Sequence, residues 1–419
     1  MSERLTASSP TVSVIVVSRD RPEALQRCLL AVSQLMYDPF EVVVVTDPQS
    51  FAVLQSHQLA DKIKLLSFDD ENISAARNHG IHAAAGEIIA FLDDDAVPEP
   101  TWLVALVAPF SRADVVASGG FVRGRNGISW QSTAQAVDRM GRSAPLDIAC
   151  DKTTVLSPGK NRGIKTQGTN MAVRRSVLAR LGGFDPRYRF FLDETDLNLR
   201  LAESGGKTAF VPRAQVHHGY QASRRRRSDR VPLDLTEIGA SWAVFLNSHC
   251  PKTLHRDRWR EIKRAERARA LYHLVRGGLE PRDVRRLMAS LQNGYSQGLS
   301  RPALTLPPVP DPTEAFLPFP SRRDTQAILL SGRSWSRSRL HQQAIDLVKS
   351  GKVATVLRFS PTAVFHRVRF TQDGYWEQTG GLFGRSRRSD PLFSLWRFSS
   401  RVRAETDRIA RVRGLWSDP

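Results

Sequence analysis

The chain has 419 residues, 41% hydrophobic and 25% charged, with a formal net charge of +19. That length fits two or three domains, the composition is that of a soluble globular protein, and no apolar run is long enough to span a membrane. The charge is one-sided: up to residue 220 Lys and Arg balance Asp and Glu, so the whole excess lies beyond it and would attract a polyanion.

From the N-terminus, Met1 to Pro10 lacks the basic-then-apolar layout of a secretory leader. Val12 to Val17 reads as a parallel strand covered on both faces, and Arg21 to Leu35 as a helix with Pro22 in its first turn. Val42 to Val45, Ile63 to Leu66 and Ile88 to Leu92 are further buried strands, with a small-residue helix over Asn72 to Ala85. This alternation predicts a Rossmann-like α/β unit with a mostly parallel sheet and right-handed crossovers. Ligands of such sheets bind at the carboxyl ends of the strands. Ser18-Arg19-Asp20, Thr46-Asp47 and Asp93-Asp94-Asp95 should therefore converge. The run Arg224 to Arg227 marks a boundary. Leu235 to Ser248, Trp259 to Val275 and Pro281 to Leu291 carry helical patterns, and Pro302 to Pro320 reads as a linker or extended segment. Ala327 to Ser331, Leu340 to Lys349 and Val353 to Phe359 form a strand-helix-strand unit. The expected division is 1–222, catalytic; 223–300, basic and helical; 301–325, Pro-rich; and 326–419, a small α/β accessory region. Cys28, Cys150 and Cys250 are scattered without metal-ligand spacing, which suits a reducing, cytosolic compartment.

The chemistry centres on Gly86 to Trp102. A buried strand ends in three adjacent carboxylates, followed by a Pro-Glu-Pro turn. Three neighbouring acids repel one another, and a hard divalent cation shared with substrate phosphates is the obvious compensator.

Four ordered blocks resemble the family-2 glycosyltransferases of the GT-A fold. They are TVSVIVVSRDRPEALQRCL, ISAARNHGIHAAAGEIIAFLDDD, GTNMAVRRSVLARLGGFDPRY and DETDLNLRLAESGGKTAFVPRAQVHH, together spanning about the first 220 residues. The resemblance implies a hexosyl-type transfer from a nucleotide-diphosphate sugar, assisted by Mn²⁺ or Mg²⁺, to a glycan or lipid-linked acceptor in cell-surface polysaccharide synthesis. On it, Ser18, Arg19 and Asp47 face the nucleotide, and Arg77 contacts the diphosphate. Asp93 and Asp95 contact ribose and metal, with Asp94 sharing either role. A late histidine completes the metal shell, His218 before its rival His217. The acceptor hydroxyl needs a general base. The family's Glu-Asp pair falls on Asp193-Glu194, which makes Glu194 the base, with Asp193 as the alternative and Asp196 as a helix cap. Inversion at the anomeric carbon goes with such a base. Gly168-Thr169-Asn170 is expected as a turn near the acceptor. The chain departs from the family at Thr46-Asp47-Pro48-Gln49, where relatives carry two Asp and a Gly, and at Ser18-Arg19-Asp20-Arg21, where Arg21 is a further diphosphate candidate.

The helix through Trp259 to Arg276 could present Arg and Lys to an anionic membrane on its cytoplasmic face, or simply pack on the catalytic unit. A nucleotidyltransferase is disfavoured because no Gly-rich, Lys-containing loop follows the first strand. A nucleic-acid-binding role on a degenerate scaffold is disfavoured because no nucleic-acid module is recognisable.

Overall fold

A computed structural model describes residues 9–219 and 221–415 of the chain. The leader reading of Met1 to Pro10 therefore lies largely outside the described residues. The N-terminal half opens with β1 (Val12–Ser18), α1 (Pro22–Val32), β2 (Phe40–Thr46), α2 (Pro48–Gln55), β3 (Lys64–Ser67), α3 (Ile73–Ala83) and β4 (Ile88–Asp93). β1 pairs in parallel with both β2 and β4, and β2 with β3, so the four carboxyl ends lie side by side. Alternation within β1 explains why both faces are covered. Val12, Val14 and Val16 pack with Leu25, Cys28 and Leu29 of α1. Ile15 packs on the opposite face with Ala76 and Ile81 of α3. Each such side chain contributes about 1.5–3 kcal/mol on burial. The helices start where side chains satisfy their free amides: Asp47 accepts from Gln49 and Ser50 at α2, and Asn72 accepts from Ala75 at α3.

Beyond β4 come β5 (Ala96–Pro98), α4 (Trp102–Val107) and β6 (Val115–Arg123). Five short strands follow: β7 (Trp130–Ser132), β8 (Gln135–Asp138), β9 (Ser143–Pro145), β10 (Thr154–Leu156) and β11 (Arg162–Lys165). β12 (Met171–Arg174), α5 (Arg175–Arg180), α6 (Asp193–Glu203) and β13 (Lys207–His218) complete this half. β12 runs antiparallel between β4 and β6, and β13 lies parallel to β6. The sheet order is β10-β13-β6-β12-β4-β1-β2-β3. β13 also pairs with β5, which brings His217 and His218 opposite Val97 and Ala96 beside the acidic triplet. The result is the mostly parallel α/β sheet expected from the sequence.

Helices α7 (Thr236–His249), α8 (His255–Val275) and α9 (Pro281–Leu299) share a core with Tyr188, Leu192 and Leu199. α7 and α9 approach closely because a glycine sits at the crossing. A Cβ on Gly294 would stand 1.8 Å from the Thr236 carbonyl oxygen. Gly294→Ala is therefore expected to cost about 1–3 kcal/mol in chemical denaturation, and an unchanged midpoint would contradict this packing. In α8, Trp259 stacks on Tyr295 at 3.8 Å, while Leu271, Tyr272 and Val275 are exposed. Among the described residues no helix is long and apolar enough to cross a membrane.

The Pro-rich stretch has no helix or regular strand and lies along the N-terminal half. Its Val309, Thr313 and Phe319 amides donate to the carbonyls of Ala179, His82 and Phe40, and Phe319 is buried in the first core. The C-terminal unit contains β14 (Ala327–Arg333), α10 (Arg337–Lys349), β15 (Val353–Ser360), β16 (Arg367–Phe370) and β17 (Trp376–Gly381). Its sheet order is β14-β15-β17-β16. A last helix, α11 (Phe398–Arg413), leads back to the N-terminal half: Thr101 donates to the Val412 carbonyl, and Arg413 reaches Glu99.

Candidate active site

The carboxyl ends of β1, β2 and β3 open into a cavity of about 530 Å³. Ser18, Arg19 and Arg21 line it from β1, Thr46 from β2, and Phe68 and Asn72 from the segment entering α3. Phe190 and the chain at Arg224 and Arg225 form the far wall. Arg224 is held by Asp20 at 3.1 Å and Glu71 at 2.5 Å, and the Arg225 guanidinium lies over the Phe190 ring. The arginine run read as a boundary thus folds back over this cavity.

The three acids of the triplet point to different surroundings. Asp94 turns inward, accepts from Ser18 Oγ at 2.7 Å and pairs with Arg21 Nε at 3.2 Å. Burial, opposed by Arg21 and aided by Asp95, pushes its carboxyl up to about 7. Asp93 and Asp95 both face His218, whose Nε2 is 4.0 Å from Asp93 Oδ2. The oxygen and nitrogen atoms that Asp93, Asp95 and His218 can offer to a cation lie within 4.8 Å of one another. His218 Nε2 is 3.0 Å from Asp95 Oδ1, and the Gln221 amide donates to Asp95 Oδ2 at 2.8 Å. Burial opposes ionisation of Asp95, yet the His218 contact and the Gln221 amide hold its carboxyl well below the usual range. His218 Nδ1 contacts Gln131 Oε1 at 3.1 Å, which orients the ring so that Nε2 faces the acids. The neighbouring His217 faces away, its Nε2 2.8 Å from Glu99 Oε1.

Asp193 and Glu194 open α6. The two residues before them, Phe191 and Leu192, both have positive φ, 71° and 66°. Such backbone costs on the order of 1–3 kcal/mol per residue and persists only when its surroundings fix it. Here Ser241 of α7 donates to the Phe190 carbonyl at 2.7 Å, and the Phe191 ring packs edge-on against Trp242. Asp193 is buried and ion-paired with Arg77, whose other guanidinium nitrogen reaches Asp93 Oδ1 at 3.3 Å. Arg77 therefore ties the triplet to the α6 acids. Gly168 makes room for it, since a Cβ there would stand 2.7 Å from Arg77 Nη2. Glu194 is only partly buried and forms no ion pair among the described residues.

Several residues have surroundings other than those expected. Asp47 spends both oxygens on the backbone, accepting from Gln49, Ser50 and the Asp20 amide, which makes it a cap and a turn anchor beside the cavity. Arg77 is 5% exposed and occupied by two carboxylates, so its charge neutralises acids within the protein. Asp196 lies inside α6, not at its cap, where it pairs with Arg200 and His249. Gly168 and Thr169 do form the expected turn, closed by the Asn170 amide donating to the Gln167 carbonyl, while the Asn170 side chain is a buried strut that accepts from Trp102 Nε1 and donates to the Phe121 and Ala214 carbonyls. Arg19 is engaged by the Asp69 carbonyl and side chain at the cavity rim.

Comparison with known proteins decides what this arrangement belongs to. Residues 10–230 match the family model described as glycosyltransferase like family 2. The chain belongs to that family. This family-2 glycosyltransferase is 28% identical over 235 residues to the O-antigen biosynthesis protein RfbC of Myxococcus xanthus, covering 54% of this chain and 18% of RfbC. It is 36% identical over 214 residues to glycosyltransferase AglE of Haloferax volcanii, covering 49% of this chain and 66% of AglE. The glucosyl-dolichyl phosphate glucuronosyltransferase of the same organism is 29% identical over 225 residues, covering 49% of this chain and 68% of that one. Among solved structures, the mannosyltransferase PcManGT of Pyrobaculum calidifontis, in complex with GDP-Man and Mn²⁺, aligns with a TM-score of 0.39 and 17% identity. That alignment covers 71% of this chain and 77% of PcManGT.

The glycosyltransferase also contains a group that its sequence does not advertise. Glu99, from the Pro-Glu-Pro turn, is buried between His217 and Arg413, and Arg413 Nε donates to Glu99 Oε2 at 3.0 Å. More than 300 residues separate the partners, and no spacing or motif signals the pairing. Burial alone would raise the Glu99 carboxyl, but Arg413 and His217 hold it down at about 2 against an ordinary 4.5. A carboxyl lowered on folding stabilises above its unfolded value and loses that contribution as pH falls through its folded value. The loss should run from about pH 4.5 to 2 and amount to on the order of 3 kcal/mol. Thermal unfolding followed across that range should show Glu99→Gln with a flatter acid limb than the natural chain. Identical limbs would contradict the assignment.

Proposed function

We propose that this glycosyltransferase moves a sugar from a nucleotide-diphosphate donor to a glycan or lipid-linked acceptor, with a divalent cation at Asp93, Asp95 and His218 and with inversion at the anomeric carbon. The observation that carries this reading is the convergence of those three donor groups beside a cavity at the strand ends. Two carboxylates and one imidazole fit a first-row divalent cation, and the nitrogen donor favours Mn²⁺ over Mg²⁺. The 3.0 Å pairing of His218 with Asp95 supports a group compact enough to share one ion. When bound there, the cation would neutralise charge on the departing diphosphate.

The protein's own residues account for the rest. The cavity takes the nucleoside between Phe68 and Phe190, with Arg19 and Arg21 at its rim. Arg224 and Arg225 bring positive charge to the far side and exclude water. Arg77 holds Asp93 and Asp193 in fixed positions. With Asp193 committed to Arg77, Glu194 is the carboxylate left to accept a proton. The acceptor oxygen forms its bond to the anomeric carbon as the bond to the diphosphate oxygen breaks, and its proton passes to Glu194. The names of RfbC and of the dolichyl phosphate enzyme support glycan and lipid-linked acceptors in cell-surface synthesis. The exposed Leu271, Tyr272 and Val275 on basic α8 support a peripheral position on an anionic membrane.

The test is thermal shift with Mn²⁺ and a panel of nucleoside diphosphates. A ligand at 100 times its Kd stabilises by about 2.7 kcal/mol, so one nucleotide should raise the melting temperature only when Mn²⁺ is present. No shift with any member of the panel would sink the donor reading.

A further inference from the structure

A second cavity, of about 720 Å³, lies between the catalytic half and the C-terminal unit. Arg27 of α1 forms one wall, and Arg337, Arg358 and Arg369 contribute three further guanidinium groups from the C-terminal unit. None of these takes part in the site described above. Two acids also line the cavity, Asp373 and Glu377. Glu377 is fully used: it accepts from Arg358 Nη2 at 3.0 Å and from Arg369 Nε at 2.8 Å. Arg27 and Arg337 make no ion pair among the described residues. The Nε atoms of Arg27 and Arg358 are buried without a hydrogen-bond partner there. Buried donors of this kind are costly unless something accepts from them. The first turn of α10, a 13-residue helix whose start no side chain caps, faces the same space through Arg337, Ser338 and His341.

We propose that this cavity is a second anion site, separate from the donor pocket, and that it takes a ligand bearing a phosphate group. Donors reach the space from α1, α10 and β15, that is, from several directions. A phosphate offers three or four acceptor oxygens to such a set, whereas a carboxylate offers two in one plane. Guanidinium forks match phosphate oxygens in pairs, and four of them surround the space. The site also adjoins the catalytic centre. A Cβ built on Gly219 would stand 3.2 Å from Arg27 Nη2 and 3.0 Å from the Asp95 carbonyl oxygen. The tip of Arg27 therefore touches the backbone that carries His218 and Asp95, and a phosphate on Arg27 is one side chain from the triad.

The proposal does not rest on the metal reading, and its test is made without metal. Binding of pyrophosphate is measured calorimetrically on the full chain carrying Asp95→Asn, with and without Arg27→Gln and Arg337→Gln. Saturable binding is expected, weakened at least about tenfold by the paired substitutions. Arg337→Ala alone, at an exposed helix position where folding is not at stake, should weaken it in the same direction. Co-sedimentation with vesicles of phosphatidylcholine, with and without phosphatidic acid, separates the two sources of phosphate. Phosphatidic acid binding that depends on Arg27 and Arg337 assigns the site to a lipid headgroup. Such dependence for pyrophosphate alone assigns it to a soluble phosphate. Dependence on these arginines in neither assay overturns the proposal.

Discussion

Glu194→Gln is expected to lower turnover by about 10²–10⁴-fold while leaving nucleotide and Mn²⁺ binding unchanged. The amide keeps the size and polarity of the side chain and removes only its ability to take a proton. Glu194 is half-buried, touches the Asp193 carboxyl and forms no ion pair among the described residues, so its loss should change the melting temperature little. Asp193→Asn is the informative contrast. It takes away the carboxyl that faces the Arg77 guanidinium. Burial already pushes that carboxyl up to about 8 against the pull of Arg77, so a cost of about 1–3 kcal/mol is expected. Any fall in turnover from Asp193→Asn should therefore arrive with a lower melting temperature. Full activity in Glu194→Gln, or loss of activity without loss of stability in Asp193→Asn, would reverse the two assignments.

Asp95→Asn should abolish Mn²⁺-dependent nucleotide binding, weakening it by more than the roughly 10–100-fold typical of groups that only support a metal ligand. Asn retains an oxygen that can accept from the Gln221 amide, so the local backbone should hold. The charge it removes is the one closest to His218. His217→Ala provides the control on specificity, because His217 faces Glu99 and Trp376. It should cost stability and leave metal affinity largely intact. Equal loss of metal affinity in both variants would show that the two histidines had been assigned wrongly.

The N-terminal half was legible because its signals are local. Val12 to Val17 and Val42 to Val45 alternate between two helical layers, and runs of that kind need no distant partner to be read. The triplet, its strand and the late His pair are likewise contiguous patterns. What stayed hidden depends on distant contacts. Nothing near Asp47 announces that the Asp20 amide will take one of its oxygens, because residue 20 adopts a left-handed turn that sequence does not reveal. Arg77 read as a diphosphate ligand because its carboxylate partners come from two separate segments. The Arg224 to Arg227 run read as a boundary because its return over the cavity is fixed by Asp20 and Glu71, some 150–200 residues earlier. Glu99 and Arg413 are the extreme case, joined across most of the chain.

The most direct measurement is a crystal structure of the full chain with Mn²⁺ and the nucleoside diphosphate that gives the largest thermal shift, collected at a wavelength where manganese scatters anomalously. The account predicts one anomalous peak ligated by Asp93, Asp95, His218 and the diphosphate, with the base in the cavity between Phe68 and Phe190. Nucleotide in that cavity with manganese elsewhere, or a peak that excludes His218, would contradict it.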